Sequence, residues 1–221
     1  MADWIQIKAS DGHTFDCYRA MPNGTPKGGL LVIQEIFGVN SHIRGVTEHF
    51  ASHGYAAYAP ALYDRAEKNF EVGYTPEDIQ KGRDMRGHIG WDDAVKDMAA
   101  TVEALRQHGK VGAVGYCWGG SLAWLTATRI GVDASICYYG GQIAQFRSEK
   151  PKNPVMMHFG ELDHAIPMDD VEAIRTEHPD IPVHIYKAGH GFNCDQRGDY
   201  DAESAKLALQ RTLDFLAKNV G

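Results

Sequence analysis

Short apolar runs alternate with stretches of helical period along this 221-residue chain, and that alternation constrains the fold more than any other feature. Strand-like runs occupy residues 4–8, 14–19, 29–34, 56–59, 110–115, 134–139, 154–159 and 183–187. One helix-like stretch starts at Ser41, a good N-cap, carries Ile43, Val46 and Phe50 on one face, and stops at Gly54. A second carries Trp91, Ala94, Val95, Met98, Val102 and Leu105, and a last one Ala205, Leu209, Thr212, Leu213 and Leu216. Repeated strand–helix units predict an α/β fold, a parallel sheet with helices on both faces. The first two strands, separated by Asp11-Gly12, predict an antiparallel edge hairpin. Residues 60–90 break the pattern. They are polar and interrupted by Gly73, Pro76, Gly82 and Gly87, with one short helix over 76–86. Such a segment is either a solvated connection or an excursion that covers a site.

One strand–helix junction carries chemistry. The apolar run Lys110-Val111-Gly112-Ala113-Val114 leads into Gly115-Tyr116-Cys117-Trp118-Gly119-Gly120, and Ser121 to Ala127 continue as a helix. Glycines two residues either side of a nucleophile make a tight elbow that lifts the central side chain into a site. The N–H of the next residue, Trp118, then faces the reacting carbonyl. The nucleophile position holds Cys117. A thiol with a pKa of roughly 8.5 is mostly protonated at neutral pH, so it needs a base. Two later residues answer that need. Asp163 follows the strand-like Pro154-Val155-Met156-Met157-His158-Phe159, and His190 follows Val183-His184-Ile185-Tyr186 between two glycines. Each gap fits the strand–helix alternation, so nucleophile, acid and histidine can meet at one edge of the sheet. The competing readings are plain: Cys117 as a small core residue, Asp163 as a helix cap, and His190 as one of 11 histidines.

These residues resemble the dienelactone hydrolase family. The likeness rests on the cysteine elbow, Gln34-Glu35-Ile36-Phe37-Gly38, the Gly-x-x-Asp-His-x-x-Pro pattern from Gly160 to Pro167, and Ala188-Gly189-His190-Gly191-Phe192. It implies an α/β-hydrolase fold with an eight-stranded, mostly parallel sheet. It implies hydrolysis of small lactones or esters through an acyl-cysteine, with Cys117, Asp163 and His190 as the triad. The oxyanion would bind the N–H groups of Ile36 and Trp118. Glu35 would sit beside the resting thiol and swing away when substrate binds, although a carboxylate there also reads as a turn residue capping the helix near Ser41. Where the family has an arginine four residues after the histidine, this chain has Cys194. Arg197, Arg83 and Arg86 are candidates for holding a substrate carboxylate, and Phe37, Tyr138 and Tyr139 for pocket walls.

Composition narrows the remaining classes. A length of 221 residues with 43% hydrophobic content suits one domain with a sizeable core. The net charge of −7 argues against nucleic acid as a partner. No apolar run approaches the roughly 20 residues of a membrane span, and Met1-Ala2-Asp3-Trp4 opens no signal peptide. Cys17, Cys117, Cys137 and Cys194 show neither framework nor metal-ligand spacing, so no metal or cofactor is expected. A catalytic thiol fits a reducing cytoplasm. The resemblance favours a monomer. Two other classes compete with a hydrolase: a glutamine amidotransferase, which also uses a cysteine elbow, and a non-catalytic small-molecule binding module on the same fold. The first lacks its glutamate two residues after His190, where Phe192 stands. The second would be expected to have lost a triad member.

Overall fold

A computed structural model describes all 221 residues of the chain. Eight strands form one sheet: β1 (Ala2–Lys8), β2 (Thr14–Ala20), β3 (Gly29–Ile33), β4 (Ala56–Pro60), β5 (Val111–Tyr116), β6 (Ala134–Tyr138), β7 (Val155–Gly160) and β8 (Val183–Tyr186). Their order is β1-β2-β4-β3-β5-β6-β7-β8. The β1–β2 and β2–β4 pairs are antiparallel, and every pair from β4 through β3 to β8 is parallel. Thus β1 alone is the antiparallel edge; β2 is paired on both sides. The central strands β3, β4, β5, β6 and β7 are buried along their whole length. That is why their sequences read as unbroken apolar runs rather than alternating ones.

Six helices accompany the sheet: α1 (Ser41–Ser52), α2 (Pro76–Gly87), α3 (Trp91–Leu105), α4 (Trp118–Leu125), α5 (Met168–Glu177) and α6 (Ala202–Asn219). Helix α1 lies beside the start of α6, while α3 and α4 pack together against the sheet. The N-cap of α1 is Asn40 rather than Ser41. Its side-chain oxygen accepts from the Ile43 N–H at 3.2 Å, and its amide donates to the Val72 carbonyl and the Tyr74 hydroxyl. Those extra partners tie α1 to the segment before α2 and favour Asn40 over its neighbour. Helix α2 begins with a capping box of Thr75 and Asp78, followed by Pro76.

The chain order sets the place of the site. From β3 the chain crosses to β4 on one side, and then returns to β5 on the other. Loops leaving β3 and β5 therefore diverge at a topological switch point, where a crevice opens at the carboxyl ends of the strands. Glu35 and Ile36 follow β3 there, and Cys117 follows β5.

Candidate active site

Cys117 joins β5 to α4 with φ 56° and ψ −117°, a conformation that L-residues rarely adopt. Such backbone costs of order 1–3 kcal/mol and persists only where the surroundings enforce it. The glycines do the enforcing. A Cβ at Gly115 would collide with the Gly119 carbonyl, and one at Gly119 would collide with the carbonyls of Ile33 and Gln34. The first turn of α4 therefore packs directly on the end of β3. The free N–H groups and dipole at the start of α4 favour negative charge that develops beside it.

His190 stands beyond β8 with Nε2 3.2 Å from Cys117 Sγ and Nδ1 2.7 Å from Asp163 Oδ2. Asp163, in the turn after β7, has a fully buried side chain, and its Oδ1 accepts the Ala165 N–H at 2.8 Å. One oxygen is thus held by local backbone, and the other orients the imidazole. Burial alone would push the pKa of His190 down. The charge on the neighbouring Cys117 sulfur and the hydrogen bonds that the imidazolium donates to Asp163 and Cys117 outweigh it and hold its pKa up to about 10. The arrangement can store a proton on nitrogen beside a nucleophilic sulfur, and return it to a leaving group.

A cleft of about 480 Å³ opens over the sulfur, walled by Ile36, Phe37 and Trp118 on one side and by Gly141, Gln142, Gln145 and Ile166 on another. Ile79, Arg83 and Arg86 reach it from α2, and Arg197 from the connection before α6. It contains three guanidinium groups and no carboxylate, in a chain of net charge −7. Arg86 is stacked on Trp91, 4.6 Å from the ring centre. The Ile36 loop is fixed from two directions: Tyr63 donates to the Ile36 carbonyl at 3.1 Å and stacks on Trp118 with ring centres 5.5 Å apart. A second cavity of about 510 Å³ lies between α1 and the start of α6 and shares no lining residue with the cleft.

The sequence profile of the dienelactone hydrolase family matches residues 15–220. The carboxymethylenebutenolidase of Pseudomonas putida is 35% identical over 238 aligned positions, covering 98% of this chain and 97% of its own. A Synechocystis protein provisionally described by the same name is 38% identical, with 82% of each chain covered. Among solved structures, a protein of Klebsiella pneumoniae provisionally described as a dienelactone hydrolase superposes with a TM-score of 0.88 at 28% identity, covering 99% of this chain and 98% of the other. This chain belongs to the dienelactone hydrolase family.

Other residues singled out by resemblance to the dienelactone hydrolases fall into two groups. Glu35 is fully buried, but its hydrogen bonds go to Tyr74 Oη at 3.3 Å and Arg197 Nη1 at 3.4 Å, while the Cys117 thiol bonds to His190. It does not cap α1, where Asn40 serves. Phe37, Arg83, Arg86 and Arg197 line the cleft. Tyr138 and Tyr139 do not. Tyr138 is enclosed in the core, its hydroxyl 2.7 Å from Thr212 Oγ1 in a polar chain that continues through His158 to Tyr186. Tyr139 is fully buried with its ring packed on His190 and Phe192. In a dienelactone hydrolase sheet with both faces covered, a strand-end aromatic turns inward as readily as toward the crevice, so pattern alone misplaced both. Sequence reasoning also passed over Tyr74, the aromatic partner of Glu35 in the irregular segment before α2.

Proposed function

We propose that this protein hydrolyses small lactones or esters through an acyl-cysteine, with a preference for substrates that carry a carboxylate. The hydrogen-bonded chain from Asp163 through His190 to Cys117 carries the reading. The sulfur attacks the carbonyl carbon and the carbonyl oxygen takes the negative charge. The N–H groups of Ile36 and Trp118 are the donors for that oxyanion, since both border the cleft beside the sulfur. His190 then passes its proton to the departing oxygen as the acyl C–O bond breaks, which leaves a thioester on Cys117. In a lactone the departing oxygen stays tethered and the ring opens. Water adds to the thioester with His190 accepting its proton, and the acid and the thiol are released.

Arg83 and Arg86, with no carboxylate among the lining residues, supply the preference for an anionic substrate, and Arg197, paired with the buried Glu35, completes the basic wall. Glu35 and Tyr74 position Arg197 rather than touch the reacting atoms. Residues 60–90 act as the specificity wall, because α2 supplies Ile79, Arg83 and Arg86. The chain works as a monomer in a reducing compartment, since an accessible thiol must stay reduced. No helix is long and apolar enough to cross a membrane.

An aryl ester tests the proposal. It should give a burst of phenol, and intact mass should show one acyl group added, lost on Cys117→Ala. A binding module on the same fold would release no phenol, and a burst without a covalent adduct would remove the acyl-cysteine. Cys117 is half-buried whereas Cys17, Cys137 and Cys194 are buried, so label at other thiols should be minor.

The pH profile tests the acid. His190 carries its proton below about 10 and loses it as pH rises through that value, so kcat/KM should fall on the alkaline side near there. Asp163→Asn removes one cause of that elevation. The alkaline limb should move to lower pH, and the rate should drop on the order of 10²–10⁴-fold. An unmoved limb would mean that another group orients the imidazole.

A further inference from the structure

We propose that Glu35, His42 and Cys194 form a binding site for a divalent cation of the zinc class. One donor atom from each lies within 4.8 Å of the others, and all three residues are buried. They come from separate elements: the turn after β3, the first turn of α1, and the connection that precedes α6. Carboxylate, imidazole and thiol together make a donor set that suits zinc or cobalt and poorly suits calcium or magnesium.

His42 supplies the independent observation. Its ring is about nine-tenths buried, with Nδ1 3.4 Å from Asp195 Oδ1. Nε2 is fully buried and has no hydrogen-bond partner. A carboxylate near Nδ1 is the kind of outer partner found behind zinc-binding histidines, and Nε2 is left with no partner of its own. An orphaned buried nitrogen is costly to fold around, and a cation satisfies it. Glu35 accepts from Tyr74 and Arg197 at 3.3 and 3.4 Å, and ligation must draw the carboxylate from both. Ligand atoms about 2.0–2.3 Å from zinc span about 3.5 Å across a tetrahedral angle, so the trio must close by about 1 Å. Cys194 gives up its thiol proton to solvent on ligation. The cavity between α1 and α6, lined by His42, Asp195 and Tyr116, provides an entry that does not pass through the substrate cleft. Binding would take the Glu35 carboxylate from Arg197 and leave that guanidinium unpaired on the cleft wall.

The test uses the Cys117→Ala protein, because the cleft thiol and His190 could themselves hold a metal. Cobalt(II) should bind with one equivalent and show thiolate-to-cobalt charge-transfer absorption. Zinc in equilibrium dialysis should bind with the same stoichiometry. Adding Cys194→Ser should abolish the absorption and weaken zinc by on the order of 10²-fold or more. Adding His42→Gln should weaken zinc similarly, and it decides the matter alone if the serine variant does not fold by circular dichroism. Charge-transfer absorption that survives Cys194→Ser would overturn the site. So would unchanged zinc affinity in His42→Gln, or no binding by the Cys117→Ala protein at millimolar metal. The binding is read in a protein without its nucleophile, so the outcome is independent of the hydrolytic reading.

Discussion

Cys117→Ala is expected to reduce kcat on the order of 10⁶-fold, the loss seen when a nucleophile leaves a cooperative triad, with the unfolding midpoint little changed. The sulfur sits where the other parts converge: His190 Nε2 lies 3.2 Å away, and Cys117 is the N-cap of α4. Alanine keeps the elbow backbone and deletes only the attacking atom. His190 then faces no charged sulfur, so the strongest influence raising its pKa also disappears. The variant should bind substrate and fail to turn it over. The measurement is steady-state hydrolysis of an activated ester, paired with circular dichroism. A folded variant that kept even a hundredth of the wild-type rate would show that another group attacks.

Gly115→Ala should be the most damaging single-methyl change in the molecule. The added Cβ would overlap the Gly119 carbonyl, and its neighbours there are backbone atoms of the elbow itself. No flexible side chain can move aside. Either β5 or the first turn of α4 must shift, and β5 is hydrogen-bonded to β3 and β6 on both sides. A cost of about 4 kcal/mol is expected, above the roughly 1–3 kcal/mol usual for overpacking because backbone must move. In a chain of this size that lowers the melting temperature by about 8–16 °C. Thermal and urea unfolding would report it, and a wild-type midpoint would mean that the elbow relaxes without strain.

The strands and helices were legible in the sequence because their signals are local. Buried strands announced themselves as apolar runs, and α3 and α6 as stripes of helical period. The elbow was legible because only glycine tolerates such close approach at positions 115 and 119. Asp163 and His190 could be picked out because each follows a strand that ends at the same edge of the sheet. What stayed hidden depended on distant pairing. The contacts of Glu35 with Tyr74 and Arg197 span 39 and 162 residues. The trio of Glu35, His42 and Cys194 has no spacing that a sequence rule would flag. Tyr138 and Tyr139 were misplaced for a related reason. In a sheet covered on both faces, the sequence of a strand does not reveal which end residues look into the crevice. The start of α1 slipped by one residue because Asn40 and Ser41 are both good caps, and the choice fell to partners in the segment near Tyr74.

The division of labour around the cleft has an evolutionary consequence. The proposed reacting groups, Cys117, Asp163 and His190, stand on the loops after β5, β7 and β8 of the sheet. The wall carrying Ile79, Arg83 and Arg86 belongs to α2, a helix outside the sheet that buries little more than Gly82. Mutations in that helix can alter which acyl group is admitted at small cost to folding. Mutations in the elbow would break scaffold and chemistry together. On this scaffold α2 is therefore where changes in acyl preference should accumulate.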